Sequence, residues 1–284
     1  MSQHFDRRLT PARPDLAAAH LTGIVTAERY VQGEVMRFGD EVTELLPEPR
    51  RDLSIDTQAL YGEEVVVYDR DEEGWSWVQL SRDGYVGYVS TDSLHKLDPP
   101  THRVSALRTL VYPGPSIKIP HWAALPLGAL VHVHMQSGDF AQVAGLGYIW
   151  RDHLCALDHF ENDFVTVAER FLHVPYLWGG KTSLGIDCSG LVQVSLQACG
   201  IEAPRDTDMM EGSLGSALPM ASDCSGLKRG DLVFWKGHIG IMQDGTRLLH
   251  ANGTFMEVTS EPLAIARERI RAKTGGDITS LRRL

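Results

Sequence analysis

Two glycine-rich clusters frame a cysteine: Tyr176-Leu-Trp-Gly-Gly180 and, just downstream, Gly185-Ile-Asp-Cys-Ser-Gly190. The run that follows, with Leu191, Val192, Ser195, Leu196 and Ala198, has helical spacing and ends on Gly200, a residue suited to a left-handed C-cap. Cys188 is thereby expected in the first turn of a helix, where unsatisfied backbone N–H groups and the positive end of the macrodipole favour thiolate over thiol. The missing side chains of Gly179, Gly180 and Gly190 leave room beside the sulfur for a substrate backbone. A nucleophilic sulfur needs a base. His238 opens the run His-Ile-Gly-Ile after Gly237, and His250 closes the next run, after Asp244-Gly245. On adjacent antiparallel strands the two rings can lie side by side, His250 accepting from His238 and fixing its tautomer, which completes a Cys-His-X triad.

These residues must be held by helices followed by strands. From His159 onward, Phe164, Val167, Ala168, Phe171 and Leu172 mark one face of a helix that must end before Pro175. Asp231-Leu-Val-Phe-Trp235, His238-Ile-Gly-Ile-Met242, Arg247-Leu-Leu-His-Ala251 and Met256-Glu-Val-Thr259 are short β-rich runs separated by Gly237, Asp244-Gly245 and Asn252-Gly253. They predict an antiparallel meander, hence an α+β domain over 159–284. Upstream, the pattern Gly62, Val65-Val66-Val67, Gly74 and Gly87-Tyr88 is echoed by Gly128, Val131 to Val133, Gly138 and Gly147-Tyr148, with Asp98-Pro99-Pro100 between the copies. Each copy reads as a small antiparallel barrel, the first over 21–98 and the second over 101–158, after an extension over 1–20.

The composition excludes several functions. The chain of 284 residues has a net charge of −10 and no Lys/Arg-rich block, so nucleic acid and anionic membranes are poor partners. The N-terminal stretch has no apolar run long enough to target or span, which predicts a cytoplasmic protein. Four cysteines are too few for a disulfide scaffold, and Cys155, Cys199 and Cys224 are expected to be small buried hydrophobes. His132 and His134 read as surface residues, and Trp75, Trp77, Trp122 and Trp150 as packing aromatics. No metal and no organic cofactor is implied, and no feature sets an oligomeric state.

The ordered set YxWGG, GxDCSG heading a helix, GDLVFW, HIGI and LLHA resembles the NlpC/p60 family of cell-wall peptidases, papain-like in geometry. The fold this implies is an α+β, papain-like catalytic domain preceded by two small SH3-like β-barrels. The reaction it implies is hydrolysis of the γ-D-glutamyl-meso-diaminopimelate bond of murein peptides, with Cys188 as nucleophile, His238 as base and His250 orienting it. The Cys188 backbone N–H and the Tyr176 hydroxyl would stabilise the oxyanion. Asp187 and Ser189 flank the nucleophile on the acyl side. By the same resemblance, the Asp83-Gly84-Tyr85 turn would close the cleft so that Tyr85 and Asp187 grip the free α-amine of an N-terminal L-Ala, as expected of an enzyme that recycles murein peptides. A competing role for Asp187 is to cap the helix beginning at Cys188. Two departures from the family pattern stand out: Arg229 where Pro is usual before Gly-Asp, and Asp208-Met209-Met210 after Pro204-Arg205-Asp206-Thr207. Two other function classes fit the same residues: a non-catalytic binding protein for cell-wall peptides, and a thiol amidase or acyltransferase acting on another γ-glutamyl or lipid amide.

Overall fold

Residues alternating between β-branched or aromatic and polar types dominate the first half of the chain, and they form strands throughout. The computed structural model describes residues 5–220 and 224–284, and the first four residues of the expected N-terminal extension lie outside it. The chain divides into two units, Met1–Leu157 and Asp158–Leu284.

In the first unit, strands Val86–Ser90, Trp75–Leu80, Glu64–Arg70, Glu34–Phe38 and Leu94–His95 lie side by side in that order, accompanied by the hairpin Val42–Leu45/Thr57–Leu60. Phe38, Leu45, Val65, Val78, Tyr85 and Val89 fill their shared core. A second set of strands follows: a five-stranded sheet in the order Ala123–Pro126, Arg108–Tyr112, Gly147–Trp150, Phe140–Val143, Val133–Ser137, and a three-stranded one built on His102–Val104. Their core holds Val104, Val111, Leu125, Val131 and Ile149. The repeated glycines behave alike in the two copies, since Gly62 and Gly128 have φ of 77° and 93°, and Gly74 and Gly138 of 89° and 61°. Of the four tryptophans expected to pack, Trp77 is buried and Trp150 meets Phe140 edge-on, but Trp122 is 62% exposed, its indole N–H satisfied by the Leu146 carbonyl. That indole already has its acceptor at the surface, so burial is not needed to satisfy it.

The second unit has four α-helices among its described residues: α1 (Phe164–Glu169), α2 (Cys188–Ala198), α3 (Thr207–Ser213) and α4 (Leu263–Thr274). Helix α1 begins where Asp163 accepts from the Val165 N–H and stops earlier than the spacing predicts, because the chain turns through His173 at φ 67° ahead of Pro175. Helix α2 is buried on every side, including Gln193 and Ser195. Its apolar periodicity is accordingly weak, as expected of a central helix. Gly200, at φ 74°, ends it as expected. An antiparallel six-stranded sheet runs Ser216–Ala217, Ser280–Arg283, Leu232–Trp235, His238–Met242, Arg247–Asn252, Glu257–Pro262. The four strands of the expected meander are its last four. The C-terminal Ser280–Arg283 strand pairs on the open side of Leu232–Trp235, and α2 packs on His238–Met242 and Arg247–Asn252.

Candidate active site

Cys188 is the first residue of α2, and Asp187 caps that helix by accepting from the Gly190 N–H at 2.6 Å. The cap places the Cys188 N–H among the donors that lack an intrahelical partner. Gly190 has to be glycine for a reason other than substrate access. A Cβ there would stand 2.3 Å from the Gly180 carbonyl oxygen, so the helix start is pressed against the Gly179-Gly180 loop. The second Asp187 oxygen accepts from the Gly179 N–H at 2.9 Å and ties the same loop to the cap.

The thiol is 7% exposed. Its sulfur accepts from the backbone N–H of Ile239, the residue after His238, and lies 3.9 Å from the Thr207 hydroxyl at the start of α3. Burial pushes the Cys188 thiol up to about 11, reinforced by the Asp187 charge and opposed by the Ile239 N–H, Thr207 and Arg205. The expectation of a thiolate from the helix start alone is thus corrected: desolvation outweighs the local donors. His238 moves the other way, down to about 3, through burial first and then through His250 and Arg269. A neutral thiol and a neutral imidazole are the resting state these directions describe.

Strand register sets the histidines. Ile241 stands opposite Leu249 and Met242 opposite Leu248, so alternation puts His238 diagonally across from His250 on one face of the sheet. Nε2 of His238 lies 2.8 Å from Nδ1 of His250, and the rings meet edge-on with centroids 5.0 Å apart. The far nitrogen of His250, Nε2, lies 2.8 Å from Oε1 of Glu261. Tyr176 is within electrostatic reach of Cys188 and Asp187, and burial first, then those two charges, push its hydroxyl well above the usual phenol range.

Comparison with known proteins bears on this geometry. Residues 45–94 match the bacterial dipeptidyl-peptidase SH3 domain and residues 173–270 match the NlpC/P60 family. Residues 173–270 are thus an NlpC/P60 domain. The chain is 28% identical over 226 residues to a γ-D-glutamyl-L-lysine dipeptidyl-peptidase of Bacillus subtilis, covering 70% of this chain and 73% of that one. It is 24% identical over 238 residues to dipeptidyl-peptidase 6 of Lysinibacillus sphaericus, covering 73% and 84%. An NlpC/P60 family protein of Bacillus cereus shares the fold with a TM-score of 0.73 at 19% identity, over 88% of this chain and 99% of that one. The protein is therefore a peptidase with an SH3-like domain ahead of its NlpC/P60 domain.

Within that NlpC/P60 domain, Asp187 meets a cation from its own unit. Arg205, 1% exposed, donates to both carboxylate oxygens at 3.1 and 2.6 Å and to the Ser189 hydroxyl at 2.8 Å. Tyr85 belongs to the first unit and is 3% exposed in its core. Arg229, which replaces the usual Pro, binds Asp163, Glu169 and Thr166 and the Gln243 carbonyl, so it clamps α1 to the loop before Leu232–Trp235. Of the remaining cysteines only Cys224 is buried, with Cys155 and Cys199 half-buried. Cys224 is not a plain hydrophobe either, since Arg267 approaches its sulfur at 3.5 Å. Among the described residues no cluster of three or more His, Cys, Asp or Glu is placed to hold a metal ion, and no helix is long and apolar enough to cross a membrane. Sequence reasoning missed Arg205, Thr207 and Glu261. Arg205 could have been noticed as a charge inside the Pro-Arg-Asp-Thr turn, whereas Glu261 carries no local signal.

Proposed function

We propose that this enzyme hydrolyses the γ-D-glutamyl bond to meso-diaminopimelate in short murein peptides of the type L-Ala-γ-D-Glu-diaminopimelate. The observation that supports the reading best is a cysteine at the first residue of α2, a helix packed on the strands that carry His238 and His250, with the His238 ring held 2.8 Å from His250. The thiol loses its proton to His238 as the sulfur attacks the γ-carbonyl carbon, and the Cys188 N–H with the Tyr176 hydroxyl receives the oxyanion. The C–N bond then breaks, His238 returns the proton to the leaving amine, and a thioester is left on Cys188. Water, deprotonated by the same histidine, releases the dipeptide acid and restores the thiol.

The free α-amine requirement belongs to the proposal, although the Asp187 carboxylate expected to grip it already accepts from Arg205 and from the Gly179 and Gly190 N–H groups. The relatives named for γ-D-glutamyl-L-lysine cleavage are consistent with a dipeptide leaving from the amino end. A role in recycling follows from that requirement, since a free L-Ala amine exists only on peptides already detached from the glycan. The second set of strands in the first unit reads as a second SH3-like barrel, on the strength of its repeated glycine turns.

The test is incubation of L-Ala-γ-D-Glu-diaminopimelate, its L-Lys counterpart and the N-acetylated forms, followed by mass spectrometry. L-Ala-D-Glu should be released from the free-amine peptides at least about tenfold faster, in kcat/KM, than from the acetylated ones, as a charge-assisted contact of roughly 1.5 to 3 kcal/mol requires. Cys188→Ala should release none. Equal rates with and without the acetyl group would sink the amine requirement, and turnover by Cys188→Ala would sink the nucleophile.

A further inference from the structure

Beyond the nucleophile, base and orienting histidine lies a carboxylate that the reaction scheme does not use. Glu261, on the Glu257–Pro262 strand, stands opposite Leu248, while His250 stands opposite Thr259. Alternation therefore places Glu261 on the same sheet face as His250 and His238, one diagonal step further on. Its Oε1 lies 2.8 Å from Nε2 of His250 and also accepts from the Arg269 guanidinium of α4. Arg269 is itself fixed, donating to the Thr254 hydroxyl at 3.0 Å and lying over the Phe255 ring. His250 is 0% exposed, so water is not available to satisfy either of its nitrogens.

The direction of every proton in this chain follows from its far end. Burial acts to raise the Glu261 carboxyl, but His250 and Arg269 outweigh it and hold the group below the usual carboxylate range. An ionised carboxylate only accepts, so the hydrogen between Glu261 and His250 belongs to Nε2 of His250. A His250 ring that carries only that hydrogen has a bare Nδ1, which must accept, and in that form the hydrogen between the two rings belongs to Nε2 of His238. The lone pair of the base is left on Nδ1, the ring nitrogen that His250 does not occupy.

We propose that Glu261, held by Arg269, is a positioning residue that sets the tautomers of both His250 and His238 and so leaves Nδ1 of His238 as the basic atom. The proposal rests on the reading of Cys188 and His238 as nucleophile and base. One proton moves in the step, from the Cys188 sulfur to Nδ1 of His238, while the hydrogens on the two Nε2 atoms stay in place. The anion at the end of the chain then faces the imidazolium formed at its start.

Long-range proton–nitrogen NMR spectra of the intact protein, with 15N-labelled histidine near neutral pH, test this without any substitution. Both histidines should give the Nε2–H pattern, and an Nδ1–H pattern for either one overturns the proposal. Glu261→Gln keeps an acceptor oxygen and loses the charge, so kcat should fall no more than about tenfold. Glu261→Met loses the acceptor: an Nδ1–H signal should appear for His250 and kcat should fall about 100-fold or more, with KM within about threefold, in keeping with the large cost of a wrong tautomer in a triad. Wild-type kcat in folded Glu261→Met also overturns it. Turnover by Cys188→Ala would instead count against the nucleophile, leaving the tautomer spectra as an independent result.

Discussion

Replacing His238 by Asn removes the group that takes and returns the proton, whereas replacing His250 by Asn or Gln leaves an amide that can still accept from Nε2 of His238, now 2.8 Å from Nδ1 of His250. His238→Asn should therefore be inactive and His250→Asn or →Gln measurably active in a murein-tripeptide assay; equal losses would mean the roles are misassigned. The thiol makes a second residue-scale prediction. With Cys188 pushed up to about 11 by burial and His238 held near 3, iodoacetamide alkylation of Cys188, followed by peptide mass spectrometry, should keep accelerating with pH through 8 and 9. A plateau at mildly acidic pH would reveal a preformed thiolate–imidazolium pair. Cys188, His238 and His250 were readable because each sits in a short motif whose glycines and turn residues mark its place. Glu261 and Arg269 were not, because only the register of one strand against another and the packing of α4 bring them to the site.

Helix α2 depends on an ion pair that neither its periodicity nor its cap predicts. Asp187 could be anticipated as the N-cap from its position before Cys188, but its second oxygen and the Arg205 guanidinium are buried together beneath the Gly179-Gly180 loop. Removing one partner of a buried pair leaves an uncompensated charge and costs about 3 to 5 kcal/mol. Arg205→Met should thus lower the unfolding free energy by roughly 3 kcal/mol or more in denaturant titration, and Arg205→Met combined with Asp187→Asn should cost less than the sum of the single changes. Strictly additive costs would show that the pair is not coupled. The Ser280–Arg283 strand was illegible for a different reason. Its Ser-Leu-Arg-Arg sequence lacks a turn signal and alternates over too few residues, and it becomes a strand only because Leu232–Trp235 offers it an open edge.

At the scale of the whole molecule, an excess of acidic residues brings a cost on acidification that comes in two windows. The carboxylates held low by arginine partners, such as Asp277, down at about 2 beside Arg267, contribute stability above the unfolded carboxylate range and lose it as pH falls towards their folded values. His238 acts earlier. Its unfolded form takes up a proton near pH 6.5, whereas the folded form, held near 3, does not. Between those values the unfolded state binds more protons, so stability falls as pH is lowered, by about 1.4 kcal/mol per unit from this one group. His238→Gln removes the titration while keeping a polar side chain. Going from pH 7.5 to 4.5, calorimetry should show wild type losing about 2 to 3 kcal/mol more than His238→Gln in the transition that contains the second unit, so the two melting curves converge or cross. Two melting temperatures that fall in parallel over that range would mean that His238 is protonated in the folded protein at mildly acidic pH, and the neutral base assigned to the resting site would have to be withdrawn.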